Sequence, residues 1–81
     1  MRLVKVTWYD AYSDSDWRTF QEIRNLSVHH CQTVGWLVEE TGREIKLVQT
    51  NSNDELCFNV TLIPKCMVVK VEDLLVDGNK P

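Results

Sequence analysis

The chain has 81 residues, of which 43% are hydrophobic and 26% are charged. This composition is ordinary for one small globular domain, and it excludes a disordered tail, a fibrous repeat and a membrane-spanning chain. Nine Lys plus Arg against twelve Asp plus Glu give a net charge of −3, whereas a free-standing nucleic-acid binder usually carries a basic excess.

The first predicted element is a strand over residues 3–9. Apolar and polar side chains alternate there, with Val4, Val6 and Trp8 on one face and Lys5 and Thr7 on the other. Such alternation is typical of a half-buried strand, so we expect the valines and Trp8 to point into the core.

The segment 10–30 departs from the strand pattern. Trp17, Phe20 and Ile23 recur at every third position, and Ser15 or Asp16 is a suitable residue to cap a helix before them. We predict a short helix over residues 16–25. The alternative is an irregular hairpin that packs Trp17 and Phe20 over one end of the domain.

Four more strands are predicted, at residues 33–40, 44–50, 56–63 and 67–72. Turn signals separate them at Thr41-Gly42, at residues 51–54 and at Pro64. On these strands the alternation places the following side chains in the inward phase: Val34, Trp36, Val38, Ile45, Leu47, Leu56, Phe58, Val60, Leu62, Met67, Val69 and Val71.

Five short strands in a chain of this size cannot form a two-sheet sandwich, but they can curl into a small, strongly bent barrel. We therefore predict a mainly β domain over residues 1–76, with a flexible tail at 77–81. The apolar run Val68-Val69-Lys70-Val71 lies at an edge of such a sheet, and an edge of this kind either carries gatekeeping charges or pairs with another subunit.

Three sequence features carry a resemblance to a known architecture: Val34-Gly35-Trp36-Leu37-Val38 with Ile45-Lys46-Leu47, the turn Leu62-Ile63-Pro64-Lys65, and the last strand Val69-Lys70-Val71-Glu72-Asp73-Leu74. With a strand and a long excursion before them, they resemble the meander and last strand of the SH3-type small barrel. SH3 domains and Sm and Sm-like RNA-binding proteins share that barrel. The Val-Gly-Trp-Leu strand and the Ile-Pro-Lys turn also resemble small uncharacterised bacteriophage proteins.

The two branches of this resemblance imply different functions, of which the Sm-like one is our main expectation and the SH3 one the alternative. In Sm-like rings the turns that correspond to Thr41-Gly42-Arg43 and Pro64-Lys65-Cys66 meet at a central pore and contact RNA. Arg43 and Lys65 would then supply phosphate contacts, and a homo-oligomer would pool the few bases of an acidic chain. The SH3 branch implies a protein-interaction module, with the binding residues Tyr12, Trp17 and Phe20 in the excursion.

Two clusters contain metal-ligand residue types. His29-His30-Cys31 has the side chains that zinc prefers, but neighbours in an extended chain point to opposite sides, so at most two converge. Asp10, Asp14 and Asp16 carry oxygens for a hard cation, but the EF-hand spacing and its closing glutamate are absent. We expect no metal site and no cofactor.

Catalysis has little support in the sequence. Cys31 beside His29 or His30 has the residue types of a nucleophile and base, but no orienting group or oxyanion site stands at a recognisable spacing. We predict a non-enzymatic binding protein.

The cysteines Cys31, Cys57 and Cys66 are odd in number, and no secretory signal precedes them. We therefore expect free, buried thiols and a cytoplasmic location, away from membranes, which is the host cytoplasm if the chain is encoded by a phage.

Overall fold

The computed structural model describes residues 1–52 and 56–74. Over these residues the chain forms five strands, one short helix and one 3-10 turn. In chain order they are β1 (Arg2–Asp10), α1 (Phe20–Arg24), β2 (His29–Glu40), β3 (Glu44–Asn51), β4 (Cys57–Pro64), the 3-10 turn (Lys65–Met67) and β5 (Val68–Asp73). The expected tail at 77–81 and residues 53–54 of the expected turn lie outside the described ranges. None of the described helical residues belongs to a helix that could cross a bilayer.

The five strands form one antiparallel sheet in the order β4-β3-β2-β1-β5. This confirms the predicted mainly β fold with five strands and a long first connection. The sheet is not closed into a barrel, so the two edge strands β4 and β5 lack the pairing that closure would give them. The expected SH3-type barrel is therefore not confirmed.

The sheet nevertheless curls at one end. β4 and β5 are its opposite edges, yet only Lys65–Met67 connects them. Four strand spacings of about 4.8 Å would separate these edges by roughly 19 Å in a flat sheet, whereas the chain from Pro64 to Val68 spans about 15 Å at most. The Pro64 turn that the sequence predicts therefore bends the sheet over one of its faces.

That inner face holds the hydrophobic core. Val4, Val6, Ile45, Leu47 and Ile63 are buried there, and Trp8, Leu37, Val68 and Val71 pack against them. The Trp8 indole Nε1–H donates a 3.0 Å hydrogen bond to the Thr33 hydroxyl, which satisfies the polar atom of a partly buried ring. The inward phase that the sequence predicts for β1 and for Ile45 and Leu47 is confirmed.

Gly35 lies opposite Val4 on this inner face and is fully packed. A Cβ atom at Gly35 would lie 2.9 Å from the carbonyl oxygen of Val48 and 3.3 Å from Cβ of Leu47. Glycine therefore lets β2 and β3 approach closely at the centre of the sheet.

The opposite, outer face carries the residues that the sequence placed in the core. Residues paired across a ladder share a face, so the pairs Leu3–Trp36, Trp36–Val48 and Val48–Val60 place Trp36 and Val60 on the side away from Val4. The predicted inward phase of β4 is wrong, because Ile63 pairs with Ile45 and takes the inner position instead. Three β4 side chains that alternate with Ile63 are exposed, namely Phe58, Val60 and Leu62, and so is Leu56 just before the strand.

Smaller corrections apply to β2, β5 and the cysteines. Val34 and Val38 are exposed, because they alternate with Gly35 and Leu37 of the inner face. Val71 packs against the core as predicted, but Val69 is exposed, because a register shift between Thr7 and Trp8 brings Val68 to the core in its place. Met67 lies in the turn and is half-buried. The cysteines are free as expected, but Cys31 is half-buried and Cys57 and Cys66 are exposed.

Candidate functional site

The long first connection, residues 11–28, forms an arm at the end of a two-stranded ribbon. β1 and β2 stay paired as far as Asp10 and His29, whereas β2 pairs with β3 only from Trp36 onward. The arm therefore leaves the sheet beyond the core. The chain measures 57 Å along its longest axis and 23 Å along the other two, as a projecting arm requires.

The helix within the arm is shorter than the predicted 16–25 and has a different cap. It spans Phe20–Arg24, and Thr19 rather than Ser15 or Asp16 precedes it. The Thr19 hydroxyl accepts a 3.1 Å bond from the N–H of Glu22, and the Glu22 carboxylate accepts a 3.3 Å bond from the N–H of Thr19. This capping box satisfies two donors that a single helical turn would otherwise leave unpaired.

An ion pair organises the first half of the arm. The Asp14 carboxylate accepts a 2.9 Å bond from the N–H of Asp16 and pairs with the Arg18 guanidinium, which also reaches Glu22 at 3.5 Å. The Asp16 N–H and the Arg18 guanidinium hold the pKa of Asp14 below its ordinary value of 3.8. The same carboxylate raises the pKa of Arg18. Both groups are therefore charged at neutral pH.

The arm encloses a cleft of about 410 Å³ between its ion pair and its apolar residues. Its lining is Tyr12, Asp14, Asp16, Trp17, Arg18, Ile23 and Leu26. Trp17 is fully exposed and Phe20 is 80% exposed, so neither covers an end of the sheet as the hairpin alternative expects. Three residues singled out by the sequence, Tyr12, Trp17 and Phe20, thus share one projecting element.

The sequence did not assign five members of this cleft to a binding site: Asp14, Asp16, Arg18, Ile23 and Leu26. The four-residue spacing of Asp14 and Arg18 was a usable signal, because side chains at that spacing meet on one side of a turn. The Asp16 carboxylate adds a negative charge to the lining, and within the described ranges it has neither a hydrogen-bond partner nor an ion-pair partner.

The two turns that carry Arg43 and Lys65 are adjacent. The main-chain N–H of Lys65 donates a 2.7 Å hydrogen bond to the Arg43 carbonyl. The Thr41 hydroxyl accepts 3.1 Å bonds from the N–H groups of Arg43 and Glu44 and fixes the first turn. The structure therefore brings together the two residues that the sequence proposed as one RNA site.

Acidic residues surround these turns. The Lys65 ammonium pairs with Glu40, and the Lys46 ammonium lies 2.8 Å from Glu39 and 3.9 Å from Glu44. Contact with Glu39 raises the pKa of Lys46. Among the described residues only Arg43 of these three bases lacks an ion-pair partner, so the paired turns present little net positive potential.

The histidines lie beside tyrosine rings at the base of the arm. His30 contacts Tyr9 edge-on at 4.4 Å between centroids, and His29 contacts Tyr12 at 4.9 Å. The Cys31 thiol lies 3.9 Å from the His29 carbonyl rather than from an imidazole. No three His, Cys, Asp or Glu side chains converge on a metal position within residues 1–52 and 56–74, a range that includes Asp10, Asp14 and Asp16.

No family model matches the chain, and neither the curated proteins nor the solved structures contain a match. The kinship with SH3-type, Sm-like and bacteriophage proteins stays a prediction.

Proposed function

We propose that this protein is a non-enzymatic binding module that holds an apolar segment of another protein on the arm, in the cleft that Trp17 lines and against the exposed ring of Phe20. The observation that carries the proposal is the full exposure of Trp17 and the 80% exposure of Phe20, on an element held away from the core. Large exposed aromatic side chains are costly to leave in water, and they are enriched where proteins bind one another.

The lining of the cleft indicates the chemistry of the partner. Trp17, Ile23 and Leu26 form the apolar part of a lining whose other members are polar or charged, so this part suits one apolar or aromatic side chain of a partner. The unpaired Asp16 carboxylate suits an ion pair with a Lys or Arg of the partner that lies next to the partner's apolar side chain. The partner segment is therefore apolar with an adjoining positive charge.

The fold gives this reading further support. An open five-stranded sheet in the order β4-β3-β2-β1-β5, with a 3-10 turn between the last two strands, is compatible with an SH3-type arrangement. In SH3 domains the long first connection contributes to peptide recognition, and the arm occupies that position in this chain. The proposed binding element and the resemblance in the sequence thus coincide.

A selection from a random peptide library tests the proposal. The wild-type protein is expected to enrich peptides that combine an aromatic or large aliphatic residue with a Lys or Arg. Their affinity should fall at least about tenfold in Trp17→Ala and in Phe20→Ala, since a truncated aromatic contact commonly costs that much. Asp16→Asn should weaken only peptides that carry the positive charge.

The matched control for this test is Phe58→Ala. Phe58 is also a strongly exposed phenylalanine, at 67%, but it lies on β4 rather than in the arm. Peptide affinity is expected to be unchanged in this variant. Equal losses in Phe20→Ala and Phe58→Ala, or no enrichment of any peptide, would contradict the proposal.

A second candidate, RNA binding by a homo-oligomer, rests on the hydrogen bond that joins the Arg43 and Lys65 turns. Each subunit would contribute these two bases to a shared positive surface. Fluorescence anisotropy of a labelled single-stranded RNA should then show binding that weakens with added salt and with the double variant Arg43→Ala/Lys65→Ala. Binding that is insensitive to both changes would exclude this site.

A further inference from the structure

The outer face of the sheet carries a continuous apolar patch that the arm does not touch. We define it by six side chains on three neighbouring strands: Val34, Trp36, Val48, Phe58, Val60 and Leu62. Trp36, Val48 and Val60 lie directly opposite one another across β2, β3 and β4, and the other three flank them along the strands.

This patch is separate from the core. Val48 is buried, yet it does not belong to the core cluster that contains its neighbour Leu47, because it points to the outer face. Phe58 is 67% exposed and Val60 60% exposed in the same patch. The sheet therefore has two apolar faces, of which its own curl covers only one.

The core itself is small. In the described part of the chain five buried apolar side chains form it, and fifteen large hydrophobic side chains are exposed. With 81 residues the chain lies just above the roughly 70–80 residues below which small domains rely on disulfides, metals or partner subunits. The cysteines are free, and no cluster of three metal-ligating side chains occurs among the described residues. Association with another subunit would bury more of the exposed apolar surface.

We propose that a second copy of this chain covers the outer face, with patch against patch about a two-fold axis. A single apolar surface that contacts itself is what a two-fold interface requires. The two sheets would then pack face to face, about 10 Å apart, as the layers of a sandwich do.

The charges around the patch permit this self-contact. Lys46 pairs with Glu39 on one side, and Lys5 lies 3.6 Å from Glu72 on the other. Each charge is thus neutralised within its own subunit, so two identical faces do not repel each other. The patch offers no unpaired charge by which a different protein could be recognised. This favours a second copy of the chain as the occupant.

The size of the patch fits a weak dimer. Three strands about 4.8 Å apart and about eight residues long cover roughly 14 by 26 Å, or about 370 Å² in projection. This is below the ~800 Å² that each partner contributes to an interface of standard size, so we expect association at micromolar or higher concentrations.

Sedimentation equilibrium over about 10–300 µM protein tests the proposal. The wild type is expected to reach twice the monomer mass of 9.5 kDa. Val60→Lys should weaken self-association about 100-fold or more, because it places an unpaired charge in the contact. Val69→Lys is the matched control, since Val69 is a 50% exposed valine on the opposite edge strand. It should dimerise as the wild type does.

A second pair of variants distinguishes a weakened dimer contact from a loss of folding. Phe58→Ala removes a patch side chain without adding charge and should weaken association about tenfold or more, whereas Phe20→Ala in the arm should leave it unchanged. Far-UV circular dichroism shows whether each variant keeps its sheet. A wild type that stays monomeric, or a dimer that Val60→Lys and Phe58→Ala leave intact, would overturn the proposal. Loss of the dimer in Val69→Lys or Phe20→Ala would also overturn it.

Discussion

Trp8 and Trp36 project from opposite faces of one sheet. Trp8 pairs with Cys31 and Trp36 with Leu3, and alternate residues of β1 point in opposite directions. Trp8 therefore packs against the core and donates its indole N–H to Thr33, whereas Trp36 belongs to the outer apolar patch. The inner face forms the core and the outer face is largely exposed, so substitutions on the inner face should lower stability more than substitutions on the outer face.

Gly35→Ala should destabilise the fold. The added Cβ meets the Val48 carbonyl oxygen at 2.9 Å, and main-chain atoms at the centre of a sheet cannot move away without disturbing the ladder. Overpacking of this kind costs about 1–3 kcal/mol, measurable by urea denaturation. Gly42→Ala is the control, because nothing lies within 4 Å of its Cβ position and its φ is not positive. It should be neutral or stabilising by up to about 1 kcal/mol.

Ile63→Ala should lower the free energy of unfolding more than Gly35→Ala does. Ile63 is fully buried and is the β4 residue of the core cluster. Removing a buried isoleucine side chain to the Cβ costs about 2–5 kcal/mol, again measured by chemical denaturation. Ile23→Ala makes the same chemical change at a half-exposed arm position, and we expect a cost below about 0.5 kcal/mol. Similar costs at the two positions would contradict the assignment of Ile63 to the inner face.

The Asp14 carboxylate should titrate below 3.8. Its pKa is lowered by the Asp16 N–H and by Arg18, so the contacts stabilise the arm above about pH 3.8. A folded-state pKa lower than the unfolded one means that this stabilisation is lost as the pH falls through the folded value. Carboxyl chemical shifts measured from pH 2 to 6 give the midpoint directly. In Arg18→Gln the midpoint should move up towards 3.8, and an unchanged midpoint would exclude the ion pair.

Thr19→Ala should unwind α1. The variant loses the hydroxyl that accepts from the Glu22 N–H, and a lost N-cap of this type costs a helix about 0.5–2 kcal/mol. Amide hydrogen exchange of residues 22–26 should accelerate accordingly. Thr19→Ser keeps the hydroxyl and should exchange as the wild type does. If it exchanged as fast as Thr19→Ala, the capping hydrogen bond would not be what holds the helix.

The strands and their order along the chain were predictable because period-two alternation and turn residues are local signals. Five strands, the turn at Thr41-Gly42 and the proline turn at Pro64 all follow from them. The face that each strand turns inward is not a local property. It depends on register, and a sheet with two apolar faces shows the same alternation whichever face is buried. Leu47-Val48, two adjacent apolar residues on a central strand, was the available sign of two apolar faces.

The candidate site could be predicted only in part. Tyr12, Trp17 and Phe20 stood out because they fall outside the strand pattern, and the structure places them together on the arm. The cleft could not be inferred, because it depends on the capping box at Thr19 and on the ion pair between Asp14 and Arg18. Short elements of this kind are decided by hydrogen bonds between side chain and main chain rather than by apolar periodicity.

Asn59 interrupts the exposed edge of β4 with a φ of 62°, a left-handed conformation that asparagine tolerates better than most residues. A straight apolar edge would invite further chains to add strand after strand, without limit, as in a growing fibril. A kink at Asn59 makes that edge a poor template, while the charged Lys70 and Glu72 blunt the edge at β5. Growth along the hydrogen-bond direction is thereby discouraged, and the proposed contact between faces closes after two subunits.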